Sequence, residues 1–316
     1  MRSGSRCYDN RMHTPIALRS SRYTAGVTPS LGGSLAWFGL AGDPLIEFVR
    51  ATPARAFYDG HARMASSYPL VPYSNRVGDG RFTFDGNAVM LRRNTNISEH
   101  PIHGLGFQRA WKVVTASDYA ITIAIAHDGC NGTDADWPWS FEATQSFALD
   151  DEDGLVISIA VVNRDARRMP AGIGLHPFFQ KSSTTRLRFE TAATWMNDAR
   201  MLPQSRIEVP SRFDFRAAHA VADLEVDNCF AGWTGTFELE WPERRWGLRA
   251  SASDVFGHLI VFTSPTRDSI AVEPVSHVNN ALNLALSRVP VGDTGLVLLA
   301  PGEALEGTMR MTPYAL

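Results

Sequence analysis

Two stretches decide the fold class: Ala120-Ile121-Thr122-Ile123-Ala124-Ile125-Ala126-His127 and Leu155-Val156-Ile157-Ser158-Ile159-Ala160-Val161-Val162. Ile121, Ile123 and Ile125 recur at every second residue in the first, as do Leu155, Ile157, Ile159 and Val161 in the second. A period of two places such side chains on one face of an extended chain, the pattern of a half-buried strand. Shorter runs of the same kind occupy residues 81–84, 187–190, 237–241, 246–251, 259–263, 270–275 and 296–299. Asp85-Gly86-Asn87 and Asp150-Asp151-Glu152-Asp153-Gly154 stand between neighbouring runs as hairpin connections do. Helical spacing is confined to residues 215–222 and 280–287, a turn or two each. Strands joined without intervening helices pair mostly antiparallel. With no internal repeat, linker composition or shift in charge density, the expectation is one all-β sandwich domain over residues 16–316, preceded by a loose arm over residues 1–15.

The chain has 316 residues of which 44% are apolar, enough for a large core. Thirty basic against 33 acidic residues give a formal charge of -3, which supplies no broad positive field, so neither nucleic acid nor a membrane surface is expected as a partner. Lys112 and Lys181 are the only lysines; the remaining basic residues are arginines spread along the whole chain, a bias of coding rather than of chemistry. Cys7, Cys130 and Cys229 are distant and odd in number, which argues against a disulfide framework or structural zinc and for a reducing, cytoplasmic setting. The longest uncharged stretch, residues 23–42, holds five glycines and a proline and does not read as a spanning helix.

Common enzyme signatures fail: Gly32-Gly33-Ser34-Leu35-Ala36 lacks the last glycine of a nucleophile elbow, and no dinucleotide or phosphate-binding glycine loop is complete. Four local settings remain. Pro72-Tyr73-Ser74-Asn75-Arg76 delivers an amide beside a guanidinium, donors suited to an oxygen-rich ligand, or else a plain surface loop. In Glu99-His100-Pro101-Ile102-His103-Gly104, two histidines three apart invite a metal, but Pro101 resists a helix and no third ligand stands at a recognisable spacing. His103 beside glycine can donate to a ligand that approaches the backbone, or satisfy loop carbonyls. Gly172-Ile173-Gly174-Leu175-His176-Pro177-Phe178-Phe179 surrounds His176 with apolar and rigid neighbours, where an imidazole suits either proton transfer or simple packing. In Ile270-Ala271-Val272-Glu273-Pro274-Val275, Glu273 shares a strand face with Ala271 and Val275, and such a glutamate needs a salt-bridge partner or a chemical task. Asp227 alone reads as an aspartate before a turn; His277, four residues past Glu273, is the other histidine of interest.

Taken in order, these segments resemble the aldose 1-epimerase (galactose mutarotase) family from about Ile16 to Tyr314. The resemblance rests on Asn75-Arg76, His103-Gly104, the run from Val162-Asn163 through Met169-Pro170 to His176-Pro177-Phe178-Phe179, Asp227, and Glu273-Pro274. It implies a galactose mutarotase-like β-supersandwich with a cleft on a concave sheet. It also implies that Glu273 is the general base and His176 the general acid, and that Asn75, Arg76, His103 and Asp227 bind sugar oxygens. The activity implied is interconversion of the α and β anomers of a free aldohexose, by ring opening and reclosure without cofactor or metal. Two departures stand out: Phe178 replaces a frequent tyrosine, and His103-Gly104-Leu105-Gly106 shortens the usual His-Gly-Gly. Competing readings are a sugar-binding or sensing protein on the same fold, and a hexose-phosphate epimerase using Arg76, Arg81, Arg92, Arg93 and Arg109. Trp37, Trp111, Phe179 and Trp233 are the aromatics considered for stacking on a sugar.

Overall fold

A computed structural model describes residues 13–42, 44–129, 136–284 and 294–316. Nearly all regular structure is β, and every pairing within the sheets is antiparallel. The architecture is the galactose mutarotase-like supersandwich. A nine-stranded sheet runs in the order His219–Ala220, Arg186–Phe189, Thr236–Trp241, Trp246–Ala252, Ala304–Ala315, Gly154–Asn163, Phe141–Asp150, Ala120–His127, Lys112–Ala116. A second sheet runs Pro203–Ile207, Ala193–Asn197, Val226–Ala231, His258–Thr263, Ser269–Val275, Gly174–Leu175, Pro69–Leu70, with Phe178–Gln180 also paired to Ser269–Val275.

The two sheets meet through aromatic contacts: Phe189 and Phe230 are 5.1 Å apart between ring centroids, and Phe179 and Phe237 5.6 Å. Strands of the nine-stranded sheet bury alternate residues, as in Phe141–Asp150, whereas Ser269–Val275 is buried throughout. Ile270 pairs with Phe179, which faces the other sheet, so Ala271 and Glu273 point to the opposite side. That second face carries the cavity described below.

The hairpin at Asp85-Gly86 has φ of 49° and 78°, the double left-handed geometry that the Asp-Gly pair supplies. Two expectations change. Residues 215–222 are not helical: His219–Ala220 pairs with Arg186–Phe189, and Phe215 stacks on Phe189 at 4.6 Å. Burial of Phe215 against the aromatic cluster, together with edge pairing, overrides a weak local helical preference. In residues 280–287 the helix is the single turn Ala281–Leu284, preceded by Asn280 in a turn at a φ of 57°, and residues 285–287 lie outside the described residues. The helix Ala54–Asp59 was not expected; it starts at Pro53 and stops at Gly60, whose φ of 67° ends it. Most of the loose arm expected over residues 1–15, and Cys7 and Cys130, lie outside the described residues; His13 is bonded through its N–H to the Phe57 carbonyl at 3.2 Å. Among the described residues no helix is long and apolar enough to cross a membrane.

Candidate functional site

The register of the second sheet builds the floor of a cavity. Asp227 pairs with Phe262, Phe262 with Ala271 and Ala271 with Phe178, so these four form a row across four strands. Ala271 is the small member of the row, and Glu273 stands two residues further along the same face. Asn75, Arg76, His103 and His176 close over this floor, giving a cavity of about 410 Å³ that all six expected site residues line. Asp227 therefore sits within the strand Val226–Ala231, not before a turn, and its burial there pushes the carboxyl up against the pull of Arg76 and Arg267.

His176 Nε2 lies 3.2 Å from Glu273 Oε1, and both side chains are almost wholly buried. His176 Nδ1 and Glu273 Oε2 are buried with no hydrogen-bond partner among the described residues. Both residues line the cavity, where a bound group can satisfy these atoms. Burial holds the imidazole well below its ordinary range, helped by His103 and Arg50. Burial likewise pushes Glu273 well above the usual carboxylate range, with the Asp227 charge adding and Arg76 opposing.

His103 has its tautomer fixed by the backbone. The Asn75 N–H donates to His103 Nδ1 at 3.2 Å, which leaves the ring proton on Nε2. Burial and the neighbouring Arg76 and Arg63 lower this histidine to about 3, so it is a neutral donor. Asn75 and His103 both take positive φ, 55° and 63°, and Gly104 follows at 68°. A Cβ on Gly104 would lie 2.1 Å from the Val71 carbonyl oxygen, so only glycine lets the loop pass there. Arg76 donates to Asn75 Oδ1 at 3.2 Å and approaches Asp227 Oδ2 at 3.8 Å.

His277 does not reach the cavity lining. It accepts the Ser74 N–H on Nε2 at 3.1 Å and donates from Nδ1 to the Val278 carbonyl at 2.7 Å, tying the Asn75-Arg76 turn to the end of the Ser269–Val275 strand. Gly172 packs against its ring, where a Cβ would lie 1.9 Å from His277 Cδ2. His100 turns away from His103 and accepts the Asp79 N–H at 3.0 Å.

Of the arginines near the motifs, only Arg76 lines the cavity. Arg92 and Arg109 reach Asp136, and Arg93 donates to the Thr95 and Asn96 carbonyls. Arg50, Arg63 and Arg267 line it instead, as do Tyr68 and Phe262; Trp37, Trp111, Phe179 and Trp233 do not. Nothing local in the sequence distinguished these arginines from two dozen others, and the residues that gather them are brought in by long-range pairing. Asn94 was also missed: its side-chain amide donates to the Ile102 and Gly104 carbonyls and accepts the Ile102 N–H, framing His103 from both sides.

A family model described as aldose 1-epimerase matches residues 16–312. The Escherichia coli K12 protein YphB is 29% identical over 260 residues, 80% of this chain and 85% of YphB. A solved structure of a candidate aldose 1-epimerase from the same bacterium is 25% identical, with a TM-score of 0.84 over 96% of this chain and 99% of that one. A galactose mutarotase-like protein from Clostridium acetobutylicum shares the fold at 18% identity and a TM-score of 0.84, covering 96% of each chain.

Proposed function

The chain belongs to the aldose 1-epimerase family, and from that premise we propose that it interconverts the α and β anomers of an aldose, with Glu273 as base and His176 as acid. The observation that carries this reading is the buried 3.2 Å contact between His176 Nε2 and Glu273 Oε1, each residue with an orphan atom and both on the cavity.

Anomerisation takes a proton from the hydroxyl on C1 and gives one to the ring oxygen, so that the C1–O5 bond breaks and an open aldehyde forms. A carboxylate and an imidazolium supply both transfers. Rotation about C1–C2 and closure on the other face return each proton to its origin. The pair therefore needs one proton between its two members throughout. With the cavity empty of sugar, burial favours the neutral form, carboxylic acid beside imidazole. A pyranose seated in the cavity against both groups presents a donor to Glu273 and an acceptor to His176 and so selects the charged form of the same proton count. His103 Nε2–H, the Arg76 fork, the Asn75 amide and the Asp227 carboxylate offer donors and an acceptor to the remaining oxygens. Tyr68, Phe178 and Phe262 supply apolar wall for the C–H face of the ring.

Polarimetry of freshly dissolved α-D-glucose and α-D-galactose tests this. The parent should accelerate equilibration, and Glu273→Gln and His176→Asn should each lower kcat/KM by about 10²–10⁴. Variants as active as the parent would remove the assigned roles, and a parent that binds an aldose without turning it over would favour the sensing protein.

A further inference from the structure

Four arginines line the cavity, Arg50, Arg63, Arg76 and Arg267, and Arg50 and Arg76 already have polar partners within the protein. Arg50 donates to the Ala65 carbonyl at 2.7 Å and the Arg63 carbonyl at 3.4 Å, and its guanidinium lies over the Phe178 ring at 3.7 Å. Arg76 is engaged with Asn75 and Asp227. Arg63 and Arg267 are different. Among the described residues neither guanidinium has a hydrogen-bond acceptor or an ion-pair partner within reach. Arg267 rests its flat face on Phe262 at 4.3 Å, which leaves its edge donors free, and it is exposed, at the mouth of the cavity. Arg63 is half-buried. No carboxylate of the cavity pairs with them directly: Asp227 stands against Arg76 and feels Arg267 only at longer range, Glu273 faces His176, and the nearby Asp268 acts on Arg50 and Lys181.

A neutral sugar hydroxyl both donates and accepts, whereas a guanidinium only donates. Two unpaired forks on the cavity wall fit a group that only accepts and carries negative charge. We propose, on the basis of the epimerase reading above, that the aldose carries an oxyanion, a phosphate or a carboxylate, on the part of the ring remote from C1, and that Arg63 and Arg267 bind it. Charge-assisted bonds to such forks are the stronger kind, and an exposed cation at a cavity mouth also steers an anion inward.

The test measures anomerisation of D-glucose, D-galactose, glucose 6-phosphate and D-glucuronate by the parent, by Arg63→Gln/Arg267→Gln and by the matching lysine pair, together with calorimetric binding of each sugar. For the parent, kcat/KM for one charged sugar should exceed that for glucose by on the order of tenfold or more, an advantage that added salt reduces. The glutamine pair should lose that ratio and the lysine pair recover part of it. Which of the two charged sugars is favoured separates a phosphate site from a carboxylate site. A parent that turns over neutral sugars with no advantage for either charged one overturns the anion site and leaves the epimerase reading standing. Tight binding of a charged sugar, lost in the glutamine pair but without turnover in the parent, keeps the anion site and sinks the epimerase reading. Absence of both binding and turnover overturns the two together.

Discussion

His176 is packed between rings. Tyr68 lies 4.4 Å from it and Phe178 4.6 Å, at interplanar angles of 32° and 28°. With those faces covered, the imidazole is open to polar partners only along its edge, where Glu273 stands. The lowered histidine and raised glutamate fix the sign of the pH dependence. Between the two, the pair holds one proton; below the lowered histidine it gains a second, and above the raised glutamate it loses its only one. The expected profile of kcat/KM is therefore a broad bell, with its acid limb set by the lowered histidine and its alkaline limb by the raised glutamate. A profile with a single limb would contradict a pair that must hold one proton. His176 and Glu273 were legible because each is an ionisable residue in an apolar stretch beside proline. Arg63 and Arg267 were not, since a chain whose cations are almost all arginine gives no local sign of which ones share a cavity.

At the scale of elements, the loop 101–104 is tied to Val71, Asn75, Val77 and Asn94. Leu105 and Gly106 both donate to the Val71 carbonyl, and the His103 N–H donates to Asn75 O. Gly104→Ala would drive a methyl into that carbonyl at a φ of 68°. We expect a loss of more than about 2 kcal/mol in urea unfolding, and a raised KM from the displaced His103. Unchanged stability would mean that the loop can shift without cost. Strands with one wet face, such as Ala120–His127 and Gly154–Asn163, were readable because burial alternates along them. Tyr23–Thr28 and Ser34–Leu40 were not, because both their faces are largely covered and glycine interrupts them, so no alternation survives. Gly26 is one such interruption, holding a close approach of Trp37.

For the whole molecule, buried histidines make acid costly. His103 and His277 are lowered to about 3 and about 4, both by burial. Unfolded, each takes a proton near 6.5, so the unfolded state binds more protons as pH falls below that value and stability declines until the folded values are reached. The His176–Glu273 pair adds little slope there: folded it holds one proton, and unfolded the histidine alone holds one between the ordinary glutamate and histidine values. Urea unfolding should lose about 2 kcal/mol between pH 6.5 and 5.5; stability that holds or rises across that unit would contradict neutral, buried imidazoles.

The cavity floor, finally, is a row of residues that meet only through strand pairing. Asp227, Phe262, Ala271 and Phe178 are neighbours by register, and His103 joins them through a loop pinned to Val71. A slip of one residue in any of these strands would turn its contribution to the opposite face. Contacts of such long sequence separation carry a large loop-closure cost and slow folding. Chemical competence is in this sense a certificate of completion, issued only when the sheet has closed in its final register, and no shorter stretch of the chain holds all the groups that the cavity assembles.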